Sequence, residues 1–95
     1  MAIILDSIEV DTVATPVAAT APVLITVTGN LGGGMVKITA NLGVGAGEAL
    51  VYTFYGGDST SFHRLEFAAG VTWTAALVNS AGDNVDVTVA YITVT

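Results

Sequence analysis

The chain has 95 residues, no cysteine, two basic and eight acidic side chains, and a formal net charge of −6. This length predicts one domain with a core of its own, and the lack of cysteine excludes disulfides, thiolate zinc sites and cysteine nucleophiles. Because binding to phosphates needs an excess of basic residues, we predict no nucleic-acid partner.

Charged residues are scarce as well as mostly acidic. They make up 11 % of the chain, less than half of the usual share of about 25 %. A small free monomer normally carries more charge for solubility, so we expect part of this surface to be covered in the working state. Every apolar run stops well short of the ~18 residues that a membrane-spanning helix needs, which predicts no membrane partner.

The first segment, residues 1–20, is predicted to be an N-terminal strand or arm followed by an extended connector. Ile3 and Leu5 fall on one face of the strand, and Ile4, Ile8 and Val10 fall on the other. Apolar residues on both faces predict burial on both sides, either inside the fold or against another subunit. The nearby prolines at positions 16 and 22 favour extended backbone, so residues 12–21 are predicted to be a connector or an edge segment.

Two strands follow. In residues 23–28 and 36–42 apolar side chains recur at every second position, the period of a half-buried strand. The sequence NLGGG between them predicts a glycine-rich hairpin turn. A phosphate-binding loop would need a lysine, a Ser or Thr and then a helix, whereas Met35 and a strand follow here.

The second half of the chain predicts four more strands. Residues 49–55 and 60–68 alternate between glycine-containing turns, and residues 71–78 and 85–95 predict a closing hairpin around the turn NSAGDN. With about seven strands and no helical period, the sequence predicts an all-β fold, an antiparallel β-sandwich of immunoglobulin-like or jelly-roll type. Residues 21–95 form the predicted sandwich, and the whole chain is one domain.

The predicted core consists of apolar residues at alternating positions of these strands. They are Val23, Ile25, Val27, Val36, Ile38, Trp73, Leu77, Val85, Val87 and Val89.

The polar residues do not assemble a recognisable catalytic set. His63, the single histidine, alternates with Arg64 and Glu66 along a strand, which favours a cross-strand polar pair over general-base chemistry. The group Asp83, Asn84 and Asp86 is typical of a turn capped by its own side chains rather than of a calcium site. We therefore predict that the protein is not an enzyme and holds no cofactor or metal. The seven aromatic residues are expected mainly in the core, although exposed ones would suit a glycan or ligand platform.

Three phrases carry a resemblance to a known class of proteins. VLITVTGNLGGGMVKITANL at residues 23–42, GVTWTAAL at residues 70–77 and VDVTVAYITV at residues 85–94 resemble small structural proteins of tailed bacteriophage virions. These proteins have a valine-threonine strand, a GxxGG turn, a Trp-containing strand and a closing strand of alternating valines. The long first segment, residues 1–20, departs from that pattern.

The resemblance implies a small all-β protein displayed in many copies on the virion exterior as a head decoration or cement protein. Its expected partners are the major capsid protein and further copies of itself, with a trimer as the first expectation. Alternatives are a tail, fibre or adhesin subunit, or a glycan- or ligand-binding module. The candidate partner-binding residues lie in the first segment and at the loop tips: Ile3, Ile4, Leu5, Ile8, Leu31, Met35 and Val44.

Overall fold

The computed structural model describes residues 1–18, 21–41, 48–55, 61–67, 70–82 and 84–94. All of their regular structure is β, which confirms the predicted all-β class. The strands are β1 (Ala2–Ile8), β2 (Thr12–Val13), β3 (Val17–Ala18), β4 (Val23–Asn30), β5 (Met35–Asn41), β6 (Glu48–Tyr55), β7 (Ser61–Leu65), β8 (Thr72–Val78) and β9 (Asp86–Thr93). The seven predicted strands correspond to β1 and β4 to β9, and the proline-containing connector contributes the two short strands.

The strands form two antiparallel sheets that pack face to face. The first sheet has the order β1-β9-β4-β7 and the second the order β2-β8-β5-β6, with β3 also paired to β8. Since β2 and β3 pair with the same neighbour, they act as two halves of one interrupted edge strand. The result is two four-stranded layers in the strand order of a jelly roll. In an immunoglobulin sandwich the last two strands are neighbours, whereas here β8 and β9 lie in different sheets.

Two predicted hairpins are wrong. The chain passes from the first sheet to the second between β4 and β5, and it passes back between β8 and β9. Both connections are therefore arches across the end of the sandwich. A strand with one buried face has the same alternating pattern whether its successor pairs with it or lies in the opposite layer.

The core lies between the two sheets. All ten residues predicted for it are buried, and Leu5, Leu31 and Phe54 join them in one cluster. Trp73 is its largest side chain. Its ring stacks on Phe67 with centroids 5.6 Å apart and meets the edge of Tyr91 at 5.2 Å.

The predicted faces of β1 are wrong beyond its first residues. Ile3 lies opposite Ala90, Leu5 opposite Val89 and Ile8 opposite Val87, with a register shift in each interval. Leu5 and Ile8 therefore both point into the core, although the sequence alternation puts them on opposite faces. The physical reason is that each irregularity inserts residues into β1, and Ser7 adopts a positive φ of 48° within the second one.

The two arches pack against each other at one end of the sandwich. The backbone N–H of Ala81 donates to the carbonyl of Gly32 at 3.0 Å. Gly29 has a φ of 102°, and a side chain there would overlap the carbonyl oxygen of Asp86. This close approach requires glycine.

Asp11 holds the second arch to the segment after β1. Its carboxylate accepts hydrogen bonds from the backbone N–H groups of Asn79 and Ser80, each at 3.0 Å, and from the Ser80 hydroxyl. Asn79 is in the left-handed region, with a φ of 58°. The hydroxyl bond from Ser80, followed by the backbone bonds, lowers the pKa of Asp11 below its usual 3.8.

We expect Asp11→Asn to lower stability in a pH-dependent way. Because the folded pKa is below the unfolded value of 3.8, the contribution of the carboxylate is fully present above that value and is lost as the pH falls through the folded pKa. Denaturant titrations of the wild type and the variant at a series of acidic pH values measure the difference in their free energies of unfolding. The other acidic side chains titrate in both proteins, so their contributions cancel in this difference. A difference that stays constant through this range would show that the ionised carboxylate does not stabilise the arch.

Candidate partner-binding surface

The first sheet presents an outer face on the side away from the core. One row crosses all four strands, since Ala90 lies opposite both Ile3 and Thr26, and Thr26 lies opposite Phe62. In the next row Leu24 lies opposite Ile92. These residues alternate with core residues along their strands and therefore point outward. We call this surface the outer apolar face: Ile3, Leu24, Thr26, Phe62, Ala90 and Ile92.

The outer apolar face exposes large side chains to solvent. Phe62, Ile3 and Ile92 are 69 %, 55 % and 41 % exposed. They lie on three different strands, and the residues between them are the partly buried Leu24 and Thr26 and the buried Ala90. Apolar residues grouped on one side of a sheet mark an interaction site more often than scattered single residues do.

The threonine hydroxyls on this side of the sheet leave few hydrogen-bond donors unused. The Thr26 hydroxyl donates to the carbonyl of Ala90 at 3.4 Å, and the Thr28 hydroxyl donates to that of Thr88 at 3.5 Å. Each hydroxyl has a single hydrogen to donate. Since that hydrogen is used within the sheet, a partner covering this face leaves few donors unsatisfied.

Charges lie at the margins of the outer apolar face. Arg64 stands at one corner, opposite Leu24 on the edge strand β7. Asp86, which lies opposite Asn30, is at the far end of β9. The outer face of the second sheet differs, because Lys37 sits in its middle between Ala76 and Thr53. Covering a lysine without an acidic partner is costly, so the first sheet offers the better apolar contact.

The structure separates the candidate residues of the sequence. Ile3 lies on the outer apolar face, whereas Met35 is on the outer face of the second sheet, opposite Val78 and Tyr55. Leu5 and Leu31 are core residues and unavailable to a partner of the folded chain. Ile4 and Ile8 are partly buried and pack against the core. Val44 lies outside the described residues.

Sequence reasoning missed most of this surface. Leu24, Phe62 and Ile92 come from three strands that are distant in sequence, and only the order β9-β4-β7 brings them together. Their alternation with buried neighbours was visible, but it indicates only that they face outward. Sheet order, which a single sequence does not reveal, decides which outward residues share a face.

The residues considered for chemistry lie apart from this surface. The ring of His63 points inward and stacks on Tyr52 with centroids 3.8 Å apart and an interplanar angle of 8°. His63 lies opposite Ile25, and its ring makes an aromatic contact between the two sheets instead of the predicted cross-strand polar pair. Among the described residues no three His, Cys, Asp or Glu side chains form a group that could hold a metal. Asp83 lies outside those residues.

Most aromatic rings pack inside, as expected. Trp73 and Phe54 are buried, whereas Tyr55 and Phe62 are strongly exposed. In the part of the chain that the structure describes, no helix has the length and hydrophobicity to cross a bilayer.

Comparison of the chain with protein-family models, with curated proteins and with solved structures finds no match.

Proposed function

We propose that the protein is a non-enzymatic structural subunit of a bacteriophage virion, located outside the head, where it stabilises the shell by bridging capsid subunits. The observation that carries this proposal is the outer apolar face, which brings apolar residues of four strands onto one side of the sheet, with Arg64 and Asp86 at its margins. The resemblance of residues 23–42, 70–77 and 85–94 to virion structural proteins points to the same role. Jelly rolls also occur among viral capsid and lectin domains, which is support by analogy of fold alone.

The proposed mechanism is burial of apolar surface across a joint between two capsid subunits. Each subunit would cover part of the outer apolar face, and separating the subunits would return that area to water. A cement protein of this kind raises the resistance of the shell to internal pressure without changing the capsid subunits themselves.

The size of the face sets how strongly one copy can bind. β4 has eight residues, so the whole outer side of the first sheet measures about 27 Å by 14 Å, on the order of 400 Å², and the outer apolar face is a part of it. A standard specific interface covers about 800 Å² on each partner. The outer apolar face of one copy therefore supplies less than half of such an interface, and stable attachment depends on contacts beyond this face or on linked copies.

We expect Ile3→Lys and Ile92→Lys each to abolish binding to phage heads assembled without the protein. Each change places a charge inside the area that the capsid would cover, where it has no partner. Val13→Lys is the matched control, because Val13 is an exposed aliphatic residue paired with Ala76 on the opposite face. Co-sedimentation of purified protein with the heads measures binding. Circular dichroism verifies that each variant is folded.

Several outcomes would overturn this proposal. Equal binding by all three variants would show that the outer apolar face does not contact the capsid. Heads that resist heat equally well with and without the wild-type protein would contradict the cement function, and labelling of tails in micrographs would favour a tail subunit. Point substitutions are preferable to removal of residues 1–12, because Leu5 and Ile8 belong to the packed interior.

A further inference from the structure

The outer apolar face ends at β7, a strand of only five residues that forms one edge of the first sheet. Phe62 lies on this strand, opposite Thr26, and belongs to that face. It also lines a cleft of about 470 Å³ between β6 and β7, the edge strands of opposite sheets. One exposed side chain therefore connects the outer apolar face to the cleft.

The described residues that line this cleft are uncharged and rich in aromatic rings. They are Tyr52, Thr53, Phe54, Tyr55, Ser61 and Phe62. Tyr55 is 72 % exposed, so a partner that covers it removes on the order of 150 Å² from water. Tyrosine is also among the residues that most often carry the binding energy of an interface. Since none of these side chains is charged, a partner covers them without desolvating an ion.

The opposite side of the outer apolar face is less suited to contact. β1, the other edge strand of the first sheet, pairs irregularly with β9 and carries the exposed Asp6. Covering a carboxylate that has no basic partner is costly. A second cleft, of about 460 Å³, borders Ile92, but Tyr91, the one ring among the described residues that line it, is half-buried and packs against Trp73. A partner that extends beyond the face therefore gains more at β7 than at β1.

We infer that the capsid partner of the outer apolar face also reaches around β7 and places an uncharged, apolar segment in the cleft, against Tyr55 and Phe62. This inference rests on the proposed function, and both area and continuity support it. The face supplies less than half of the roughly 800 Å² that a standard interface covers on each partner, so attachment needs further surface. The cleft supplies such surface directly beside the face. Arg64, at the corner on the same strand, lies at the rim of the enlarged contact, where its charged end stays in water.

Tyr55→Ser is expected to weaken binding to heads assembled without the protein by about tenfold, because it removes the exposed ring of the cleft and leaves the outer apolar face intact. Leu50→Ser is the matched control. Leu50 is 59 % exposed on the same strand and is not among the residues that line the cleft, so its loss should change binding by less than about twofold. Co-sedimentation over a range of head concentrations measures the dissociation constants, and circular dichroism verifies that both variants are folded.

Hydroxyl-radical footprinting of the wild-type protein, free and bound to heads, gives a second measurement that needs no variant. Oxidation of a side chain slows when a partner covers it. On heads we expect protection of Tyr55 together with Ile3 and Ile92 of the outer apolar face. Leu50 should be oxidised as fast as in the free protein.

The inference and the proposed function fail in different ways. Protection of Ile3 and Ile92 without protection of Tyr55 would overturn the inference and leave the proposed function standing, and so would a Tyr55→Ser variant that binds as tightly as the wild type. Equal weakening by Leu50→Ser would also overturn it, since the loss would not be specific to the cleft. A soluble oligosaccharide that saturates the cleft without releasing the protein from heads would assign the cleft to another ligand. Wild-type protein that does not bind heads would overturn both.

Discussion

Replacing Trp73 with alanine is expected to lower the free energy of unfolding by roughly 3 to 5 kcal/mol. The ring is fully buried between the sheets, where it contacts Phe67 and Tyr91. Alanine leaves a cavity that β8 and β9 cannot close without breaking their own ladders. For a domain of this size the loss corresponds to a fall in melting temperature of roughly 12 to 40 °C, so the variant is expected to be partly unfolded near body temperature.

Denaturant unfolding followed by far-UV circular dichroism measures this effect, because the variant has no other tryptophan to report by fluorescence. Trp73→Phe is the matched control. The indole Nε1 is buried and donates no hydrogen bond within the part of the chain that the structure describes, so phenylalanine keeps most of the packing and removes an unsatisfied donor. We expect it to lose less than half as much stability as the alanine variant. Equal losses in both variants would contradict this account, because phenylalanine keeps most of the buried ring.

The core was predictable from the sequence because burial in a sheet has a period of two. Val85, Val87 and Val89 alternate with more polar residues, and this alternation identifies the buried side chains without knowledge of which strands pair. The same holds for Val23, Ile25 and Val27 on β4. The hydrophobic effect acts on each of these side chains whatever strand lies beside it, so their burial does not depend on sheet order.

The strand order was not predictable in the same way. The turn residues at 30–34 and 79–84 permit a sharp change of direction, and both a hairpin and an arch need one. What separates the two is long-range packing, such as the overlap that any side chain at Gly29 would make with Asp86. No local pattern records a contact between residues so far apart in the chain.

The candidate surface depends on the strand order and was therefore largely missed. Ile3 is exposed, whereas Leu5, which the alternation puts on the same face, turns inward because pairing with β9 is irregular. The sequence shows Phe62 and Ile92 only as apolar residues at outward positions and does not indicate that they lie on the same surface. A single shift of register exchanges the two faces of a strand. To predict a surface built from four strands, the correct face must be known for each of the four.

Leu31 is the residue for which sequence and structure disagree most sharply. It lies among asparagine and glycines in NLGGG, the composition of an exposed turn, yet it is only 2 % exposed. The arch carries it back over the end of the sandwich, where the Leu31 carbonyl accepts a hydrogen bond from the N–H of Gly34 at 3.0 Å. The side chain joins the core cluster there and closes the space between the sheets.

We therefore expect Leu31→Ala to cost about 2 to 5 kcal/mol of unfolding free energy, as truncation of a buried leucine does. Met35→Ala is the matched control, because Met35 is of similar size, ends the same connection and is only half-buried on the outer face of the second sheet. It should cost about 1 kcal/mol or less. Urea titrations of the three proteins, fitted with a common dependence on denaturant, compare the two losses directly. If both variants lost the same small amount, Leu31 would be an exposed loop residue, and it would return to the set of side chains available to a partner.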